Sequence, residues 1–336
     1  MSDARSSAQP TPAGSSYAGS SWGSAHAGPP SGSPPAGPSP AGPPRAAASA
    51  VGRRRSRARP YLLALPGVLW LLLFFLLPVG QLVATSLYDP AGSLEAGYAM
   101  TWAVGTYPEV LVEYRWHLAR AFGYAALATL CCLLLGYPLA YAIARRAGRW
   151  RHLLLVCVVA PFFTSFLVRT LAWKTILSDQ GPVVGALRAV HLLAADGRLL
   201  ASGTAVVAGL TYNFLPFMVL PLYASLERLD GRLLDAAADL YAGPVQRFRT
   251  VVLPLSLPGV AAGTLLTFIP AAGDYVNAEL LGTPRTHPVG NVIESAFLVS
   301  LDYPRAAALS VLLMTATLAL VVGYLRRLGR DALVGR

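Results

Sequence analysis

From residue 61 onward the sequence alternates long apolar runs with short polar stretches that carry arginines. An α-helix rises about 1.5 Å per residue, so about 20 apolar residues cross the roughly 30 Å hydrocarbon layer of a bilayer. Six runs reach that length: residues 61–87, 117–144, 153–177, 204–226, 255–273 and 306–325. The pattern predicts an all-α polytopic membrane protein with six transmembrane helices. The third run carries Arg169 and Lys174 near its outer end, where long side chains are expected to snorkel toward the interface. The fifth contains Pro258, Gly263 and Pro270, which predict kinks or broken ends. Irregular backbone at membrane depth must be buried in protein or line a cavity.

Residues 1–60 read differently. Ser, Pro, Gly and Ala dominate up to about residue 50, and arginines follow. Such a segment buries too little surface to offset chain entropy, so a disordered cytoplasmic tail is expected. The membrane domain then spans residues 61–330. Its first run is too long, and starts too late, for a signal-peptide core, and it reads as an uncleaved first span.

Composition excludes an ordinary soluble domain. Only 13% of the 336 residues are charged and 54% are hydrophobic, with a mean hydropathy of +0.51. A soluble domain carries about 25% charged residues. The net charge of +11 raises the question of nucleic acid. The arginines, however, gather at the ends of apolar runs, and no basic patch is interleaved with aromatics. Arg53, Arg54, Arg55, Arg57 and Arg59 fall on one side of the bilayer. Arg145, Arg146, Arg149, Arg151, Arg228, Arg232, Arg247, Arg249, Arg326, Arg327, Arg330 and Arg336 join them there. The other side receives Arg115, Arg120, Arg188, Arg198, Arg285 and Arg305, offset by several acids. The positive-inside rule then places both termini, and the loop 228–254, in the cytoplasm. Cys131, Cys132 and Cys157 lie inside apolar stretches and read as small packing residues. The histidines are far apart and form no spaced pair, so no metal site is expected.

The loop 228–254 is more than a connection. Leu233, Leu234, Ala237, Leu240 and Tyr241 recur at helical spacing, with Asp235 and Asp239 on a different face. The alanines around Ala236 keep one side slim enough for a partner groove to approach. Gly243 suits a helix stop, and Pro244 suits the first turn of a new helix. Gln246, Arg247, Phe248 and Arg249 then lead to Leu253-Pro254, where the fifth run begins. The prediction is helix, sharp bend, helix, membrane. Two readings compete: a docking surface, or an amphipathic helix lying on lipid headgroups. Asp235 and Asp239 weigh against the second, because interfacial helices are rich in Lys and Arg.

Asp235-Ala236-Ala237, Gly243 and Val252-Leu253-Pro254, with Pro258-Gly259 further on, resemble the EAA loop of membrane subunits of ATP-binding-cassette importers. That consensus runs E-A-A, a glycine, an apolar residue and L-P. Here Asp235 stands where Glu is usual, and Tyr241 stands at the usual glycine position. Residues 263–282 and Gly290-Asn291-Val292-Ile293 are similar to permease subunits of spermidine/putrescine importers; importers of iron or thiamine share much of the layout. The resemblance implies a type I importer permease fold in a bacterial plasma membrane, without enzymatic activity of its own. It implies that Asp235, Ala236, Ala237, Asp239, Tyr241, Gly243, Arg247 and Pro254 belong to an element that inserts into a cleft of a separate ATPase. It also implies the partners: two copies of that ATPase, a second permease subunit and an extracytoplasmic solute-binding protein. No cofactor is implied for this chain, since ATP is bound by the ATPase.

The residues themselves agree that ATP is not bound here. A Walker A loop needs a lysine after glycines. The only lysine, Lys174, lies in a stretch, 168–175, without glycine. The driving force is therefore a partner's ATP or an ion gradient. A gradient-driven transporter predicts similar halves and matched intramembrane charges. No internal repeat is evident, and span centres are almost free of carboxylates. An intramembrane enzyme would need a paired His/Glu, Ser/His or Asp/Asp site, and none stands out. Substrate-path candidates are Asp274, Tyr275, Asn277 and Glu279. A carboxylate near membrane depth costs about 2.5–3.5 kcal/mol on insertion scales, so it faces a cavity or a partner. Asp274 pairs with an ammonium, with Tyr275 adding a cation–π face, or it caps a helix or pairs with Arg285. Glu279 reads as loop surface.

Overall fold

The computed structural model describes residues 58–334 apart from Leu94, Ala96, Ala195 and Asp196. The expected tail lies outside these residues except for its last three, which begin the helix Ala58–Leu71. Among the described residues the chain is helical, with only isolated β-bridges. Five continuous helices among the described residues are long and apolar enough to cross a membrane: Ala64–Thr85, Arg115–Arg145, Gly203–Glu227, Pro244–Ala272 and Tyr303–Arg327. They correspond to the first, second, fourth, fifth and sixth runs.

The third run is not one straight span. Gly148–Phe163 and Phe166–Ile176 meet at 96°. Pro161 lacks a backbone donor, and Thr164 and Ser165 are extended (ψ 151° and 140°), so one helix stops and another starts. The break also changes the fate of Arg169. Its side chain does not snorkel: it is 9% exposed, lies over Phe162 and Phe166 at 5.1 and 5.7 Å, and leaves Nε and Nη1 without hydrogen-bond partners among the described residues. Lys174 is exposed, as expected.

The centre of the bundle is Gly203–Glu227. Its apolar window is 67% buried, against 0% for the first span. It packs on Arg115–Arg145 and on Leu253–Ala272. Lipid tails are as apolar as leucine, so close van der Waals contact and interhelical hydrogen bonds must hold membrane helices together. Glycines four apart make that contact here. A Cβ at Gly259 would lie 2.5 Å from Ser225 Cβ, and one at Gly263 would lie 2.7 Å from Met218 Sδ. Tyr137 and Ser256 hydroxyls meet at 2.7 Å, and Cys132 Sγ donates to Thr211 O at 3.3 Å. Cys132 is thus a packing residue. Cys131 is half-buried, and Cys157, expected to pack, lies exposed on its short helix. The first span touches the rest through Leu77–Thr85, which packs on Tyr303–Val334.

Candidate functional site

On the arginine-rich side, the loop between the fourth and fifth spans folds as Gly231–Asp239 followed by Pro244–Arg247. Asp230 caps the first helix, its carboxylate accepting the Arg232 N–H at 3.0 Å. Leu234 and Phe248 pack against the main core, and Phe248 meets Tyr137 and Tyr141 edge-on. Arg145 donates to Leu229 O at 2.6 Å, and Arg151 pairs with Glu227 at 3.0 Å. The loop is therefore fastened to the end of the second helix, and the third run is tied to the end of the fourth. Its outward surface holds Asp235, Ala236, Asp239, Tyr241, Gly243 and Pro254, all exposed; Ala237 and Arg247 are half-buried. The apolar stripe divides: Leu234 turns inward, whereas Leu233, Leu240 and Tyr241 face out.

The helix stops at Tyr241, two residues before the expected Gly243. The Tyr241 N–H bonds Ala238 O at 2.9 Å and the Ala242 N–H bonds Ala237 O at 3.0 Å. This paired closure needs a left-handed residue, which is usually glycine. Tyr241 supplies it with φ 59°, at a cost on the order of 1–3 kcal/mol for a non-glycine residue. A glycine adopts that backbone geometry without the strain that a side chain brings. Gly243, by contrast, has φ −65° and caps the next helix, with Pro244 in its first turn. Arg247 Nε donates to Ala242 O at 2.7 Å and braces the bend.

Pro254 lies just past a wide turn, Phe248–Val252, where hydrogen bonds span five residues. A proline ring crowds the carbonyl four residues back, and the widened turn accommodates it without ending the helix. Pro244–Ala272 consequently forms one 29-residue rod, about 44 Å long at 1.5 Å per residue.

The far end of that rod carries the other candidates. Asp274 lies two residues past the last helical residue, Ala272, and receives the Asn277 N–H at 2.9 Å and Asn277 Nδ2 at 3.1 Å on one oxygen. The capping alternative is thus realised, and no ion pair with Arg285 forms among the described residues. Among the described residues the second carboxylate oxygen takes no donor. Burial pushes the Asp274 carboxyl up to about 6, against the pull of the two bonds from Asn277. Asn277 is fully buried, and its Oδ1 accepts Asn213 Nδ2 at 3.0 Å. Thr170 lies within 3.3 Å of Asn213 Nδ2 and 3.5 Å of Asn277 Oδ1. Gly209 makes room: a Cβ there would sit 2.8 Å from Asn277 Oδ1. This polar chain joins the broken third span, the central fourth and the end of the fifth. Asn277 is therefore enclosed by protein groups of this chain. Tyr275 is 43% exposed and lines a groove of about 290 Å³ with Gly290, Glu294 and Phe297. Glu279 is surface, bonded to Asn291 Nδ2 at 2.9 Å and 3.6 Å from His287 Nε2.

Sequence reading missed Asn213, Thr170 and Asn291. An amide in the middle of the apolar run 204–226 is the signal that marks Asn213, since polar side chains inside a membrane bond across helices.

Residues 133–330 match the family model described as "Binding-protein-dependent transport system inner membrane component". The chain is 39% identical over 258 residues to the spermidine/putrescine transport system permease protein PotB of Haemophilus influenzae, covering 76% of this chain and 90% of that protein. It is 37% identical over 259 residues to PotB of Escherichia coli, covering 76% and 91%. Among solved structures it is similar to the bacterial ABC transporter that imports the acidic polysaccharide alginate, with TM-score 0.61, 19% identity and coverage of 81% and 95%. At that identity the likeness shows the fold alone. With the family model spanning more than half of the chain, this protein belongs to the binding-protein-dependent transport system inner membrane components, the permease subunits of ATP-binding-cassette importers.

Proposed function

We propose that this permease forms half of the translocation path of an ATP-driven polyamine importer, with both termini in the cytoplasm. A second permease subunit completes the path. Two copies of a separate ATPase grip the loop elements, and an extracytoplasmic binding protein delivers the solute. The observation that carries this reading is the rod Pro244–Ala272. It is continuous with the loop element at one end and meets the Asp274–Asn277 cluster at the other. A force on Gly231–Asp239 reaches the outer cluster through helix, bend and rod, without a flexible link. A two-state element biased at one end is the physical requirement for such coupling.

Polyamine as the solute draws on the PotB relatives and on the chemistry of the outer end. Asp274 has one carboxylate oxygen without a donor among the described residues, and the next residue, the aromatic Tyr275, is exposed. An ammonium satisfies both. The capping bonds hold Asp274 in position while leaving that oxygen free.

The docking claim is tested at Ala236, which is exposed, and not at Ala237, which is half-buried. Ala236→Arg should release the ATPase in a pull-down of the assembled complex while the permease pair stays intact. Full retention of the ATPase would remove Gly231–Asp239 as the contact.

A further inference from the structure

Tyr241 combines two costs that the chain itself does not repay. Its backbone is left-handed, and its ring is 98% exposed with no aromatic or hydrogen-bonding partner among the described residues. Glycine would close the same helix end without strain, as at the corresponding position of the EAA loop. Two further apolar side chains stand out beside it: Leu240 is 81% exposed and Val245 is 70% exposed. An open recess of about 800 Å³, lined by Gly243, Pro244, Val245 and Arg249 among others, continues the same surface. Strain held at an exposed position points to a role in contact with something outside the chain.

We propose that Tyr241 is the aromatic anchor of the ATPase contact, entering an apolar socket on that subunit with Leu240 and Val245 at its rim. This rests on the docking reading above and adds the residue that carries most of the contact. Lipid is the competing occupant, and two observations weigh against it. The inward side chains Leu234 and Phe248 are used against the bundle, so this element does not turn a single apolar face to the bilayer. Asp235 and Asp239 are exposed on the same helix, where anionic headgroups repel them. A large aromatic ring on a short, braced loop is the kind of group that dominates protein contacts, because its burial orders few torsions.

The test uses the full complex in nanodiscs and follows dissociation of its ATPase subunit. Tyr241→Gly relieves the strain, so the thermal midpoint of the permease should hold or rise. The same change should speed ATPase release about tenfold or more, as loss of an anchor residue does. Tyr241→Phe should restore slow release. Tyr241→Trp supplies an emission that should shift to the blue only when the ATPase is added. Wild-type release from Tyr241→Gly, in a complex that Ala236→Arg disrupts, would sink the anchor and leave the docking reading standing. Retention of the ATPase by Ala236→Arg would sink the docking reading itself. A blue-shifted Trp emission in nanodiscs without ATPase would place the ring in lipid and overturn the proposal.

Discussion

Asp274→Asn separates the stability of this permease from its transport. In the folded chain the carboxyl is raised from an ordinary 3.8 to about 6, because burial disfavours its charge more than Asn277 supports it. Each tenfold change in acidity corresponds to about 1.4 kcal/mol, so holding the charge above pH 6 costs on the order of 1–3 kcal/mol, the lower end allowing for solvent screening. The sign follows from protonation. Below pH 3.8 the group is neutral in both folded and unfolded chains, and no penalty exists. As pH rises to 6 the unfolded chain ionises first, and stability falls; above 6 the penalty is constant. Asparagine retains the oxygen that accepts from Asn277 N–H and Nδ2 but carries no charge. The variant should therefore melt higher than wild type at pH 7.5, and the gain should vanish toward pH 4. Uptake of radiolabelled spermidine by the reconstituted complex should fall about tenfold or more, the effect of removing one charge partner of an ammonium. Thermal unfolding at several pH values and initial uptake rates measure the two effects. A lower midpoint at pH 7.5, or a gain independent of pH, would refute the linkage; unchanged uptake would remove Asp274 from the path.

Packing makes further predictions. Gly259→Ala forces a methyl against Ser225 and Pro221, and should destabilise by about 1–3 kcal/mol. Gly243→Ala meets open space at φ −65°, and should change stability by less than about 0.5 kcal/mol; chemical denaturation in detergent compares the two. Asn213→Leu removes the amide that donates to Asn277 Oδ1 and leaves a buried acceptor short, a loss of about 1–3 kcal/mol visible in the same assay.

The spans were legible because an apolar run long enough to cross lipid has few alternative structures, and five of the six runs form continuous helices. The third run shows the limit. Pro161 and the following Thr164-Ser165 were present to be read, yet hydropathy alone does not distinguish a straight span from two helices at 96°. The missed break also misplaced Arg169. The loop element was legible as helix, bend and helix, but the residue that makes the bend was not. Gly243 is the obvious stop by propensity, and only the backbone shows that Tyr241 takes the left-handed position. Asp274 was open between a ligand role and a cap, and its capping bonds to Asn277 are local enough for a sequence to hint at. The burial of Asn277 was not legible, because its partner Asn213 lies 64 residues away, and proximity of that kind is set by helix packing rather than by local pattern.

Transport with and without the motor tests the lever most directly. Proteoliposomes holding the complete complex, with ATP inside or outside as orientation requires, should accumulate spermidine in a manner that needs ATP hydrolysis and ignores a protonophore. Vesicles with the permeases but no ATPase should accumulate none. Accumulation in the motor-free vesicles, abolished by the protonophore, would contradict a rod moved by nucleotide hydrolysis.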